Sequence, residues 1–205
     1  MRGLLGGRGP DLRVRRHLAL RGFAGQHGWD VLGMVADLST RYPVPDLVGA
    51  PSAQAELAVQ GAWRGQPATV ALVAARPPAR DAHGRRQGDR TVLLVALDSG
   101  PRQVQLVAEV TGGQPEVAVL GDGPAPAAVV ALLGPVGPVG RPRPAGRLRP
   151  GDHVVLGEVD LVLARTLARH EARVDPAVLL DLLVDLLDAI DTSSGGPRTG
   201  RPPVA

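Results

Sequence analysis

The sequence lacks two residue types on which whole classes of chemistry depend. Its 205 residues include no cysteine and no lysine, because all 23 basic residues are arginine. Without cysteine, disulfides, thiolate metal sites and thiol nucleophiles are excluded. Without lysine, the chain has neither the lysine of a phosphate-binding loop nor a Schiff-base site for pyridoxal phosphate. The sequence therefore predicts no cofactor.

Aromatic residues and long apolar runs are also scarce. Phe, Tyr and Trp total four residues, too few for a platform on which nucleic-acid bases stack. The longest apolar stretch, 125–140, is shorter than a membrane span and contains three prolines. Residues 1–10 hold no apolar run of signal-peptide length. We expect a soluble, cytoplasmic protein without a membrane span.

Familiar catalytic templates are missing as well. None of the five serines lies in a Gly-x-Ser-x-Gly elbow. Gly121-Asp122-Gly123 lacks the third glycine of a dinucleotide fingerprint, and the apolar stretch that ends at Asp98 has no phosphate-loop partner. Four possible metal ligands cluster in sequence, but a strand there would separate them on two faces. They are Asp152, His153, Glu158 and Asp160. The sequence therefore predicts no catalytic residues and no metal site.

Codon usage explains part of this composition. Lysine and asparagine are absent and isoleucine occurs once, and these three residues are encoded by AT-rich codons. We infer a GC-rich bacterial genome. The excess of arginine then reflects codon pressure as well as function.

Positive charge is concentrated in two segments. Residues 1–21 hold six Arg and one Asp, and residues 141–149 hold four Arg and no acidic residue. Residues 150–192, in contrast, hold nine acidic residues and three Arg. The basic arms are candidates for non-specific anion or nucleic-acid contacts. The candidate residues are Arg13, Arg15, Arg16, Arg141, Arg143, Arg147 and Arg149.

The middle of the chain predicts an antiparallel sheet. Residues 56–63 alternate with the period of two that is typical of a half-buried strand, and 64–67 form a tight turn. Other strand-like stretches are 69–75, 90–97, 103–110, 116–120, 153–159 and 161–169, the last of which could also be a helix. Because the connections are short, we expect an α+β fold. It consists of an antiparallel meander of about four to six strands packed against N-terminal and C-terminal helices.

The clearest helix spans residues 175–191. Asp175-Pro176 is a good helix start, and the leucines that follow recur with helical period. Asp181, Asp185 and Asp188 fall together on the opposite face. This acidic face is either a solvated surface or a docking surface for a protein partner or for one of the chain's own Arg-rich segments.

Three further helices are expected. Asp11 is a candidate cap for a helix that runs to about Gln26 and ends at Gly28-Trp29, where Trp29 is a candidate core residue. Short helices are predicted near residues 34–42 and 124–133.

Composition divides the chain into one domain and two tails. Residues 11–192 are predicted to form a single α+β domain that contains a Pro/Gly/Arg-rich linker or loop at 134–151. Residues 1–10 are predicted to be a flexible leader, and 193–205 a disordered tail.

The chain resembles a family of uncharacterised small proteins, a domain of unknown function from high-GC bacteria. The resemblance depends on Gly28-Trp29 at a helix end, on Trp63-Arg64-Gly65 between two strands, and on Asp89-Arg90-Thr91-Val92 at the start of an apolar strand. It also includes the final strand before the Asp-Pro helix, and it covers residues 18–191 in scattered short matches. The family implies an α+β domain with no established activity, and the insert at 134–151 departs from its pattern.

Three functions follow as hypotheses. The first is a non-catalytic interaction or structural module, because no catalytic template fits and the acidic face of the last helix offers a docking surface. The second is non-specific binding of anions or nucleic acid through the Arg-rich arms. The third is a cofactor-independent hydrolase that uses only Asp and His. Composition and motifs leave the ligand, the partner and the oligomeric state open.

Overall fold

The first helix begins and ends where the sequence predicts. α1 (Leu12–His27) follows Asp11, whose Oδ1 accepts a hydrogen bond from the Arg13 amide at 3.2 Å. The helix ends at Gly28, whose φ of 67° is in the left-handed region that favours glycine. The buried side chains of α1 share one face; they are Arg16, Leu20, Phe23 and Ala24.

A computed structural model describes the chain over residues 11–35, 38–49, 52–76, 90–101, 105–111, 114–120, 129, 132 and 148–193. After α1 come β1 (Asp30–Val35), α2 (Leu38–Arg41), α3 (Val44–Val48), β2 (Ser52–Trp63), β3 (Gln66–Arg76) and β4 (Arg90–Asp98). They are followed by β5 (Gln105–Thr111), β6 (Gln114–Leu120), β7 (His153–Leu156), β8 (Asp160–Thr166) and α4 (Ala177–Ser193).

The fold is α+β, with antiparallel strands and helices at both ends, as the sequence predicts. The chain divides into two compact units. One comprises the described residues of 1–95 and 164–176, and the other those of 96–163 and 177–193. In the first unit, neighbouring strands follow the order β1, β2, β3, β4; in the second, the order is β8, β7, β5, β6. The described residues thus form eight strands, slightly more than the expected four to six.

The β2–β3 hairpin is closed by a two-residue turn. Trp63 pairs with Gln66, so the turn residues are Arg64, with a φ of 49°, and Gly65, with a φ of 82°. Positive φ at both central positions is the geometry of a type I′ turn, whose twist matches that of the strands. The turn is shorter than the predicted 64–67, and β3 begins at Gln66.

One predicted helix is wrong in part. The stretch 34–42 was expected to be helical, but Met34 and Val35 end strand β1, and the helix that follows is only Leu38–Arg41. A second short helix follows, and Pro45 lies in the first turn of this α3 (Val44–Val48). Proline is tolerated there, since the amide it lacks has no partner within the helix.

Part of the predicted linker at 134–151 is an ordered turn. The Asp152 amide donates to the Arg149 carbonyl at 2.9 Å, and the Arg149 amide donates to Asp152 Oδ2 at 2.7 Å. Pro150 and Gly151, whose φ is 84°, occupy the central positions, as in a type II turn. Residues 134–147, the predicted leader 1–10 and the tail from 194 onward lie outside the described residues. So does the predicted helix 124–133, except for Val129 and Leu132, which are both helical.

The C-terminal helix buries the face that its leucine pattern predicts. α4 begins two residues later than expected and ends at Ser193. The buried side chains are Leu179, Leu180, Leu182, Leu183, Val184, Leu186, Leu187 and Ile190. Burying each is worth about 1.5–3 kcal/mol, so this face dominates the stability of the helix. In the described ranges, no helix is long and apolar enough to cross a membrane.

Candidate functional site

Strand β2 presents different chemistry on its two faces. On one face, a β-carbon at Gly61 would fall against the Trp29 ring, and Trp63 lies with its ring centroid 6.0 Å from that of Phe23. Trp29 Nε1 also donates to the Ala62 carbonyl at 3.2 Å. This face therefore packs on α1 through an aromatic cluster. Because side chains alternate along a strand, Gln60 lies on the opposite face.

A pocket occupies that opposite face. Its volume is about 340 Å³, toward the lower end of the range of about 300–1,000 Å³ that is typical of ligand sites. All its described lining residues belong to β1, α2, β2, β3 and the residue after α2. They are Leu32, Val35, Leu38, Arg41, Tyr42, Gln60 and Thr69. Aliphatic side chains and one aromatic ring thus form most of the wall.

Two polar side chains lie side by side in this pocket. Gln60 and Thr69 are directly paired in the β2–β3 register, so both project from the same face of the hairpin. Thr69 is buried and Gln60 is half-buried. Among the described residues, neither side chain has a buried nitrogen or oxygen that lacks a hydrogen-bond partner. The amide and the hydroxyl can both donate and accept hydrogen bonds, so they give the pocket wall two polar groups that a bound molecule can contact.

Arg41 gives the pocket its charge. It is the one charged residue among the described lining side chains, and it is exposed, whereas the adjacent Tyr42 is 3% exposed. The Arg41 guanidinium lies 5.3 Å from the centroid of the Tyr42 ring, within the range of a cation–π contact. Arg41 therefore places a positive charge at the rim of a mostly apolar pocket.

The arginines predicted as anion contacts lie in different environments. Arg16 is buried; its Nε donates to the Glu171 carbonyl at 2.9 Å and its Nη2 to the Ala168 carbonyl at 2.6 Å. Arg13 forms an ion pair with Glu56 at 3.0 Å. Arg15 and Arg149 are exposed, whereas Arg141, Arg143 and Arg147 lie outside the described residues. Arg16 therefore acts as a structural clamp, and Arg13 uses its charge in an ion pair within the protein.

The environment of Arg16 is consistent with that clamp. Burial lowers the pKa of its guanidinium from the usual value, and the carboxylates of Glu171 and Glu56 act in the opposite direction. The guanidinium nevertheless stays charged at any physiological pH. It therefore forms two charge-assisted hydrogen bonds, which are stronger than neutral ones.

An acid–histidine pair does exist, but outside the pocket. His17 Nε2 and Glu56 Oε2 are 3.3 Å apart, and Glu56 also binds Arg13. The register shift between Ala55 and Leu57 interrupts the alternation of β2, which lets Glu56 reach the α1 side. The pair joins α1 to β2 and is not among the residues that line the pocket.

The residues of the predicted docking face lie together on α4. Asp185 and Asp188 are exposed, whereas Asp181 is half-buried. The Thr192 hydroxyl donates to the Asp188 carbonyl at 2.7 Å near the end of the helix. The face is thus acidic and largely exposed along two helical turns.

The four candidate metal ligands around β7 differ in burial. Asp152 is buried and accepts from the Arg149 amide, and Asp160, which begins β8, is buried too. His153 is half-buried and Glu158 exposed. In the part of the chain that the structure describes, no three His, Cys, Asp or Glu residues are grouped as metal ligands.

The sequence did not predict the pocket, although its turn residues indicated the pairing of two of the lining residues. A two-residue turn at Arg64-Gly65 sets the register that pairs Gln60 with Thr69. The remaining wall of the pocket was not predicted, because the helix expected over residues 34–42 overlaps the end of strand β1, which carries Leu32 and Val35.

Compared with family models, curated proteins and solved structures, the chain matches none of them.

Proposed function

We propose that the chain is a non-catalytic interaction module whose binding site is the pocket formed by β1, α2 and the β2–β3 hairpin. The observation that carries this proposal is the Gln60–Thr69 pair in a mostly apolar cavity of about 340 Å³. A small number of placed polar groups within an apolar wall is the usual composition of a ligand site. A cytoplasmic setting in a high-GC bacterium remains part of the proposal and is supported by composition alone.

The lining supports binding rather than hydrolysis. A general base must lie within hydrogen-bond reach of the proton that it removes, and a hydroxyl nucleophile needs such a base beside it. The described lining side chains offer hydroxyl, amide and guanidinium groups, and no carboxylate or imidazole is among them. The His17–Glu56 pair lies on the α1 side of β2, away from this cavity.

A blocking variant tests the proposal. Leu32 lines the pocket and is 45% exposed, so Leu32→Trp adds an indole to the cavity with little strain on the fold. Val31, which is 42% exposed and is not a lining residue, provides the matched control Val31→Trp. The uncharged fluorophore prodan should bind wild type and Val31→Trp, whereas Leu32→Trp should reduce its affinity at least tenfold. Equal binding by all three proteins would refute the pocket as the site.

A second candidate is docking of a basic protein partner on the acidic face of α4. The exposure of Asp185 and Asp188 on a helix whose leucines are buried favours it. A pull-down with the variant Asp181→Ala/Asp185→Ala/Asp188→Ala should lose partners that wild type retains. The same partners on both proteins would count against this face.

Binding of nucleic acid through the Arg-rich arms is a weaker alternative. Arg13 and Arg16 use their guanidinium groups within the protein, and the rings of Phe23, Trp29 and Trp63 pack against one another. Retention on heparin that falls steeply with salt would restore this alternative.

A further inference from the structure

We propose that the outer face of α1 docks reversibly on an anionic lipid surface. The outer face consists of Val14 and Leu18, which are 47% and 61% exposed, and of Arg15 and Arg21, which are exposed as well. It is separate from the pocket, because α1 packs on the other side of β2. Aliphatic side chains combined with arginines are typical of helices that lie in a membrane interface.

The helical period places these four side chains together. Val14 and Leu18 are one turn apart, on the side of α1 that faces away from its buried residues. Arg15 is three residues before Leu18, and Arg21 is three residues after it. Three residues rotate a helix about 60° short of a full turn, so the two arginines lie on opposite sides of Leu18. The outer face therefore has an aliphatic centre between two cations.

The charge of the outer face is not used within the protein. The guanidinium groups of Arg15 and Arg21 form no hydrogen bond or ion pair with any other residue that the structure describes. The sequence of α1 contains no acidic residue, and Asp11, just before it, accepts from the Arg13 amide as the helix cap. The outer face is thus complementary to a negative surface, and each arginine near such a surface strengthens binding about fivefold.

The aliphatic side chains favour a lipid surface over a soluble polyanion. Phosphates of a nucleic acid or sulfates of a polysaccharide would cover Val14 and Leu18 without any apolar contact in return. At a lipid surface the same two side chains leave water for the region below the headgroups. The longer side chains of Arg15 and Arg21 meanwhile reach the lipid phosphates.

The rest of the outer face disfavours a protein helix as the occupant. Gly22 and Gly25 follow Leu18 on this side of α1, and both are exposed. The apolar side chains therefore extend over a single turn, whereas paired helices bury an apolar stripe over several heptads. A second copy of α1 is disfavoured too, because Arg15 and Arg21 would then meet the same charges.

Sedimentation with vesicles tests the proposal on the full chain. The chain should bind vesicles of phosphatidylcholine and phosphatidylglycerol, mixed at about two to one, and should not bind phosphatidylcholine alone. Arg15→Gln/Arg21→Gln should lower the partition coefficient about twentyfold, and Leu18→Gln at least about fivefold. The matched control is Arg76→Gln/Arg173→Gln, at two exposed arginines outside α1, which should lower it about twofold at most.

A fluorescent label shows which side chain enters the lipid. Because the chain has no cysteine, Leu18→Cys and Val31→Cys each accept a single environment-sensitive nitrobenzoxadiazole label. Val31, 42% exposed on β1, is the matched control position. On addition of the anionic vesicles, the emission of the label at position 18 should rise and shift to the blue, whereas the label at position 31 should not respond.

Several results would overturn the proposal. Vesicle binding that survives both Arg15→Gln/Arg21→Gln and Leu18→Gln would assign the lipid contact to another part of the chain. Binding that needs the arginines but leaves Leu18→Gln and the label at position 18 unchanged would be adsorption without docking of the aliphatic centre. Retention on heparin without vesicle binding would identify a soluble polyanion as the occupant. A change of oligomeric mass in these variants, again without vesicle binding, would identify a second copy of the chain.

Discussion

At the scale of single residues, the missing side chain of Gly61 makes room for the aromatic cluster through which β2 packs on α1. The Trp29 ring lies where a β-carbon at Gly61 would project, and no other residue type leaves that space open. We predict that Gly61→Ala lowers the free energy of unfolding by about 1–3 kcal/mol, because the indole must shift within a packed aromatic cluster.

The matched control for this prediction is Gly22→Ala. Gly22 lies in the exposed part of α1 with open space around its α-carbon, so alanine there should stabilise the helix by up to about 1 kcal/mol. Urea denaturation of both variants measures the contrast. Equal effects of the two substitutions would show that the Trp29–Gly61 contact is unimportant.

Arg16 and Arg15 form a second contrast, one residue apart in the same helix. Arg16 donates to the Ala168 and Glu171 carbonyls, whereas Arg15 is exposed. We predict that Arg16→Leu costs about 1–3 kcal/mol of unfolding free energy, because the Ala168 and Glu171 carbonyls, in part-buried hydrogen bonds, lose charged donors. The unfolding free energy of Arg15→Leu should stay within about 0.5 kcal/mol of the wild-type value. Thermal unfolding of both variants measures the contrast. An unchanged unfolding free energy for Arg16→Leu would contradict the role of Arg16 as a structural clamp.

The sequence identified these arginines as a basic arm but could not divide them by role. Arg13, Arg15 and Arg16 have the same chemistry, and the poor apolar pattern of α1 does not show which of its faces is buried. What separates them is contact with residues that are distant in the chain, Glu56 for Arg13 and Ala168 with Glu171 for Arg16. Local pattern carries no information about such contacts.

At the scale of elements, the β2–β3 hairpin connects turn chemistry with the pocket. Its type I′ turn places Arg64 at a φ of 49°, a conformation that costs most residues about 1–2 kcal/mol and asparagine less. We predict that Arg64→Asn raises the stability of the protein by about 1 kcal/mol without changing prodan binding. Gly65→Ala, at a φ of 82°, should instead destabilise it.

Thermal unfolding of the two turn variants checks this prediction. Opposite changes in Tm support the turn type and, with it, the register that pairs Gln60 with Thr69. A lower Tm for Arg64→Asn would show that the turn type does not determine the register of the hairpin.

Strand β1 explains why part of the site was not predictable. Its sequence, with Gly33 at a φ of 68° and register shifts on both sides of that glycine, does not have the regular alternation by which a strand is recognised. Three of its apolar residues are at least 42% exposed, so hydrophobicity alone did not indicate which face is covered; they are Val31, Leu32 and Met34. Regular strands such as β3 and β4, in contrast, were located to within a few residues.

At the scale of the whole molecule, the fold class was predictable, whereas the site was not. Alternation, turn residues and the leucine period of α4 are local signals, and together they indicated antiparallel strands with a helix at each end. The pocket combines residues from β1 to β3, and its existence depends on how the short helix α2 lies against the hairpin. That arrangement is a tertiary property, which a single sequence does not report.

An NMR titration of the labelled full chain with prodan tests directly whether the pocket binds a ligand. We predict saturable shifts of the Thr69 methyl and the Gln60 side-chain amide. The exposed methyls of Val14 and Leu18 on α1 should remain in place. Unmoved signals from Thr69 and Gln60 at saturating ligand, or the largest shifts on α1, would contradict the assignment of this pocket as the binding site.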